Sequence, residues 1–257
     1  MQTIGKPWLS TPKRLPSADK AGVVVARPGN VSRRAVADLE TPTMSPESGI
    51  RVRKALKEWA PTIEAIGHGE QTVLFRKGGI KEPTFRPEAT TFLLFPTSFH
   101  TDQQLLKPGV AERYTQAMKL EPKSESVLCL PYVAQVTGAW TTYDPQVLPV
   151  LDEFHVWTEQ LLDARLKWRP KQPITVMELR CWALRSPLEL PVNESLFGCF
   201  SWVDVAQQLR REAGLDLDLD LGGAAPVVGD SDFAARQQRL RAALRRIQAE
   251  PLSLPLD

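Results

Sequence analysis

The chain has 257 residues and a mass of 28.7 kDa, enough for one sizeable core or two small ones. A hydrophobic share of 42%, a charged share of 24% and a formal net charge of +2 exclude a wholly disordered chain, a membrane bundle and a uniformly basic or acidic protein. The 22 prolines exclude a coiled coil or helical repeat, and three cysteines (Cys129, Cys181, Cys199) without a CxxC spacing exclude a disulfide framework, which predicts buried thiols in a reducing cytoplasm.

Residues 1–53 read as a disordered basic arm, broken by Pro7, Pro12, Pro16, Pro28, Pro42 and Pro46. Residues 1–54 hold ten Lys/Arg against four Asp/Glu, whereas residues 55–210 hold sixteen against eighteen. The positive excess therefore sits in the arm. Its longest apolar run, Val23-Val24-Val25-Ala26, is far too short to cross a membrane or to serve as a secretory signal, so no membrane partner and a cytoplasmic location are expected.

From Lys54 the pattern becomes globular. Ala55, Leu56, Trp59, Ile63 and Ile66 recur at helical spacing, which predicts a first helix that Pro61 kinks or restarts and Gly67 and Gly69 end. Thr72–Phe75 and Phe92–Phe95 read as short apolar strands, the first closed by Gly78-Gly79 and the second by Pro96. A short helix over 111–119 precedes a long β segment, Ser126–Trp140, bent near Pro131 and Gly138.

Thr158 is placed to cap a helix running to Leu166, with Trp157 stapling onto Leu162 and Pro170 marking the end. Ile174–Leu184 alternates, with Val176, Glu178, Arg180 and Trp182 on one face and Met177, Leu179, Cys181 and Ala183 on the other, as in a half-buried strand. A helix is predicted from Trp202 to about Arg211. In the Leu/Asp alternation that follows, Leu221 and Val227 stand where a calcium loop needs Gly and Glu. A final helix over 232–249, capped by Ser231 or Asp230 and stopped by Pro251, carries the apolar stripe Phe233, Leu240, Leu244 and Ile247 beside five arginines.

The fold class expected is α+β: a mixed or barrel-like antiparallel sheet with flanking helices over residues 54–210, after the arm and before a linker and Arg-rich helical tail, 211–257. That tail docks on the domain or offers a surface to a protein partner.

The P-loop, the GxGxxG dinucleotide fingerprint, HExxH, the GxSxG elbow and paired CxxC are all absent, and three histidines are too few for a multi-His metal site. No cofactor or metal is expected. Three groups of side chains remain. Arg76-Lys77-Gly78-Gly79-Ile80 delivers two cations into a glycine turn, which either cradles a phosphate or forms a hairpin with solvated cations. Thr97 and His100, with Lys107 nearby, follow a buried strand end, where His100 is either a general base or a loop residue. His155, Trp157, Arg165, Trp168, Arg180, Trp182 and Trp202 suit stacking on bases and holding phosphate, or else fill a core.

Lys54-Ala55-Leu56-Lys57-Glu58-Trp59-Ala60, Glu64-Ala65, the run Gly69–Ile80, Phe92–Thr97 and His100 resemble the bacterial domain-of-unknown-function 1802 family, frequent in cyanobacteria. Phe154–Thr158, Arg165, Glu178-Leu179-Arg180 and Gly198–Trp202 carry the same resemblance. It spans roughly residues 54–205 and implies no particular activity. The stretch Gly69–Arg76 also looks like the opening of ASCH domains, RNA-associated relatives of the PUA fold with a Gly-x-Lys-x-x-Glu-x-Arg strand. Gly69 and Arg76 match, while Gln71 replaces the Lys and Leu74 the Glu. That resemblance implies the fold and a nucleic-acid role, without the catalysis of an ASCH-type amidohydrolase.

The leading expectation is a cytoplasmic RNA-binding or RNA-processing module, in which Arg76, Lys77, Arg165 and Arg180 contact phosphate and the tryptophans near His155 stack. The alternatives are a metal-dependent nuclease or hydrolase using Glu64, His100 and Glu178 with Lys77, and a non-catalytic interaction module docking through 232–249.

Overall fold

The computed structural model describes residues 52–78, 83–214, 217, 219 and 223–255. The expectations for the arm, for Gly79 and Ile80, and for most of the Leu/Asp repeat lie outside these residues, as does the side chain of Leu162 in the proposed staple.

The architecture is α+β: an open, mixed eight-stranded sheet flanked by helices. In chain order the strands are β1 (Lys54–Trp59), β2 (Val73–Arg76), β3 (Thr91–Thr97), β4 (Val127–Thr142), β5 (Ile174–Pro191), β6 (Trp202–Asp204), β7 (Ala225–Pro226) and β8 (Glu250–Pro251). The helices are α1 (Ala60–Gly67), α2 (Val110–Arg113), α3 (Thr115–Met118), α4 (Val147–Val150), α5 (Glu159–Lys167), α6 (Val205–Ala213) and α7 (Asp230–Arg246).

The main path runs β2-β5-β4-β3-β1-β6, with β7 on β5 and β8 on β4. β1 and β3 are parallel; the other pairs are antiparallel. β4 and β5 form the spine, and register shifts fall at Leu130/Tyr132 and Val136/Gly138. These are the two predicted bends. Pro131 has no N–H for the ladder, and a Cβ at Gly138 would lie 2.3 Å from the Trp140 ring.

The expected first helix is half strand. Residues 54–59 form β1 because both of its faces are covered: Ala55 packs with Leu93 and Phe95, and Leu56 with Phe92 and Leu94 on the other side. Pro61 sits in the first turn of α1, where its missing N–H costs nothing, so it starts the helix rather than kinking it. Spacing at 55, 56, 59, 63 and 66 satisfies either period over so short a window.

β5 likewise is not half-buried. Val176 faces a core with Phe75, Leu151 and Phe154, while Met177, Leu179 and Cys181 face a second core with Leu74 and Leu94. The strand runs on to Pro191. Among the cysteines only Cys181 is buried; Cys129 and Cys199 are exposed, which corrects the expectation of buried thiols.

Two predicted caps differ in detail. Thr158 precedes α5, but its hydroxyl donates to the Gln104 carbonyl instead of accepting from the helix. α7 begins at Asp230, so Gly229, which has no side chain, holds the cap position, and Asp230 pairs with Arg180 instead. The apolar stripe of α7 docks: Phe233, Leu240 and Leu244 are buried, and Leu240 and Leu244 join the core around Phe154. No helix among the described residues is long and apolar enough to cross a membrane.

Candidate functional site

β2 lies at one end of the sheet path, and β1 with β6 at the other. Arg76, the last residue of β2, reaches across the opening. Its Nη1 donates to the Lys57 carbonyl and to Glu58 Oε2, both at 3.1 Å, and its Nη2 donates to Ser201 Oγ at 2.8 Å. The guanidinium also lies 5.0 Å from the Phe85 ring. Thr97 anchors the same corner, its hydroxyl donating to the Glu58 carbonyl at 3.1 Å. The sheet is thus closed at this point by side chains instead of a ladder.

Beside this closure is a small pocket, with room for about one water molecule and an apolar open surface, lined by Phe75, Arg76, Lys77, Leu148, Leu161, Arg165 and Ile174. Lys77 is buried, with Nζ donating to the carbonyls of Trp168 at 2.7 Å and Arg169 at 3.0 Å. Burial, with the nearby Arg165 charge, pulls its ammonium below the usual lysine range. Arg169 returns the tie by donating to the Gly78 carbonyl at 3.1 Å.

Arg165, on the second turn of α5, lies 5.4 Å from the Trp59 ring. Among the described residues no hydrogen bond or ion pair reaches its guanidinium. Burial lowers its pKa; the Glu58 carboxylate opposes that shift and the Arg76 charge adds to it. Three formal positive charges and the Glu58 carboxylate thus stand around this apolar pocket, where weak screening strengthens their mutual effects. Trp168, whose carbonyl accepts from Lys77, is 47% exposed, with Arg169 4.4 Å from its ring.

The remaining predicted residues lie elsewhere. His155 is buried in the core against Phe75, its Nε2 3.1 Å from the Leu148 carbonyl while its Nδ1 accepts from the Trp157 backbone N–H. Burial pushes its pKa down to about 4, so the ring is a neutral structural element at physiological pH. Trp157 is core, edge-on to Trp59 at 5.2 Å. Lys107 is tied to Asp152 and to the His155 carbonyl.

Arg180 and Trp182 belong to the α7 face, where Arg180 pairs with Asp230 between the Trp182 and Phe233 rings, each at 5.2 Å. Glu178 is 1% exposed beneath the same helix, and its Oε2 accepts from Thr137, Gln237 and Arg241 at 2.7–2.9 Å. Glu64 sits on α1, its carboxyl raised by burial, with His68 Nδ1 at 3.7 Å. His100 is exposed and contacts the Ser98 carbonyl. Among the described residues no group of three His, Cys, Asp or Glu could hold a metal ion.

The structure thus gathers Arg76, Lys77, Gly78 and Arg165, and places Arg180, Trp182, His155, Lys107 and the carboxylates apart from them. Sequence reasoning missed Glu58, Ser201 and Trp59. The only local signal for Glu58 was a lone acid inside an otherwise buried strand.

Fold and site together define an α+β protein with an open mixed sheet and a cluster of cations around a small apolar pocket. Residues 55–239 match the family described as "Domain of unknown function (DUF1802)", and the chain belongs to that family. None of the curated proteins matches. Among solved structures it is similar to the ASCH protein of Zymomonas mobilis at 14% identity, covering 74% of this chain and 93% of that one, with a TM-score of 0.34. A serine-to-alanine mutant of that protein matches at 14% identity, 74% and 94% coverage and a TM-score of 0.35. A tyrosine-to-phenylalanine mutant of it matches at 15%, 65% and 100%, with a TM-score of 0.37.

Proposed function

We propose that this protein is a cytoplasmic RNA-binding module whose cation cluster at Arg76, Lys77 and Arg165 attracts a backbone phosphate. The observation that carries this reading is Arg165: a partly buried guanidinium without a hydrogen-bond acceptor among the described residues, beside two further cations and a single carboxylate. Holding such a charge out of water without acceptors is costly, and an anion supplies both the acceptors and the counter-charge. Phosphate suits a planar guanidinium through paired N–H···O bonds. Trp168, exposed and tied to Lys77 through its own carbonyl, offers a ring on which a neighbouring base stacks.

The test is titration of the full chain with a fluorescent single-stranded RNA at low and high salt. Affinity falls as salt rises, because bound cations displace condensed counterions, and Arg165→Gln weakens it about tenfold or more. Binding indifferent both to salt and to Arg165 would remove the cation cluster from the account.

A further inference from the structure

Lys57 lies in the middle of β1, and the segment before β6 passes over it. Its backbone N–H donates to the Ser201 carbonyl at 2.8 Å, and its Nζ makes one long bond, 3.4 Å, to the Gly198 carbonyl. The same nitrogen lies 3.6 Å from the centre of the Phe200 ring. A Cβ at position 198 would come within 2.7 Å of that ring, so the glycine lets Phe200 fold back over the amine. Lys57 is only 8% exposed, and among the described residues no carboxylate pairs with it. Burial pulls its pKa down to about 8, with Cys199 opposing the shift and the Lys123 charge adding to it. At pH 7 about a tenth of it carries a free lone pair. Such a lysine is better placed to act as a nucleophile than to hold an ion.

What Lys57 lacks is access to solutes. Cys199 has it. The cysteine stands between Gly198 and Phe200, the two residues that hold Nζ, and its thiol is exposed. Its charge also acts on Lys57 more strongly than that of Lys123. Cys129, the other exposed thiol, has Glu189 and Glu64 as its charged neighbours instead. One group thus meets solutes and the neighbouring one forms the more durable bond, since an amide outlasts a thioester.

We propose that Cys199 and Lys57 form an acyl-transfer pair, in which Cys199 takes an acyl group from a small thioester in solution and passes it to Lys57 Nζ. In the first step the Cys199 thiolate attacks the carbonyl carbon of the donor; the donor's C–S bond breaks, and its thiolate leaves and takes up the proton that Cys199 released. In the second, the Nζ lone pair attacks the same carbon, the bond to Cys199 Sγ breaks, and the amine's proton goes to the departing thiolate. The net change is a thioester and an amine converted to a thiol and an amide, with nothing oxidised or reduced. Proximity drives the second step, because the acyl group is delivered beside the amine.

The test incubates the full chain with acetyl coenzyme A as the thioester probe and follows each lysine by peptide mass spectrometry. Lys57 gains its acetyl group about tenfold or more faster than the exposed Lys171. Cys199→Ser, checked for folding by circular dichroism, slows Lys57 about tenfold or more and leaves Lys171 unchanged, whereas Cys129→Ser alters neither. In Lys57→Arg the acetyl group stays on Cys199 as a thioester that hydroxylamine removes. Equal rates at Lys57 in the parent and in Cys199→Ser overturn the relay. Delivery to Lys123 in place of Lys57, acetyl-Cys199 persisting beside an unmodified Lys57, or no acetyl group on either residue does the same.

Discussion

Arg76 and Glu58 face each other across the opening between the two ends of the sheet, Nη1 to Oε2 at 3.1 Å, with only 15% and 8% of their side chains exposed. Because β2 is four residues long and β6 three, backbone pairing has little to offer at this seam. Breaking a buried pair from one side leaves the other charge uncompensated. Glu58→Ala is therefore expected to lower the unfolding free energy by about 3 kcal/mol, and Glu58→Gln, which keeps an acceptor, by about half as much. Urea denaturation reads both, and a loss for Glu58→Ala below about 1 kcal/mol would mean the seam is held by packing alone.

Arg165 leads to the opposite outcome. Its charge is partly buried without an acceptor among the described residues, so Arg165→Met, which keeps the aliphatic packing on Trp59, is expected to leave thermal stability unchanged or raise it by about 1 kcal/mol while weakening anion binding. Differential scanning calorimetry beside a binding titration checks the pair. A marked fall in Tm would recast Arg165 as a structural residue.

His155 sets an acid limit on stability. Its folded pKa of about 4 lies below the ordinary value of 6.5, so the unfolded chain binds the proton more readily than the folded one. Stability from the neutral ring is complete above about pH 6.5, is lost as pH falls from there to about 4, and amounts to about 3 kcal/mol across that window. His155→Gln retains a donor and an acceptor without the titration. Its stability is lower than the parent's at pH 7, and the deficit shrinks as pH falls toward 4. A parallel pH profile for the two proteins would refute this.

The thiols differ in a way that a labelling reagent resolves. Burial pushes Cys181 up to about 12 and walls it off, whereas Cys129 and Cys199 are exposed. The native protein is expected to yield two reactive thiols and a third only on unfolding. Cys129 is the slower of the exposed pair, its thiol raised by partial burial and by Glu189. Three equally fast thiols in native buffer would contradict the burial of β5.

Much of this was legible before the structure. The bends at Pro131 and Gly138, the strands around Leu74 and Phe95, and the apolar stripe of α7 follow from local chemistry, because proline, glycine and periodicity act within a few residues. β1 did not, since a six-residue segment covered on both faces carries no period of its own. At the site, Arg76, Lys77 and Arg165 were named as phosphate contacts, but Arg180 was grouped with them because guanidinium chemistry looks the same whichever face of the molecule it occupies. The partnership of Arg76 with Glu58 depends on how the two ends of the sheet come to face one another, which no window of sequence contains. Trp157 is core for a similar reason: Trp59 and Trp157, nearly a hundred positions apart, become neighbours only when β1 and the loop before α5 are both in place.

The family match ends at residue 239, in the middle of α7. A fragment designed to that limit would keep Arg239 and discard Leu240, Arg241 and Leu244. It would strip Glu178, the least accessible carboxylate among the described residues, of its cationic partner while uncovering the core beneath. A fragment that keeps this core covered therefore carries the chain beyond the helix and through β8, because the last seven residues of α7 lie past that limit.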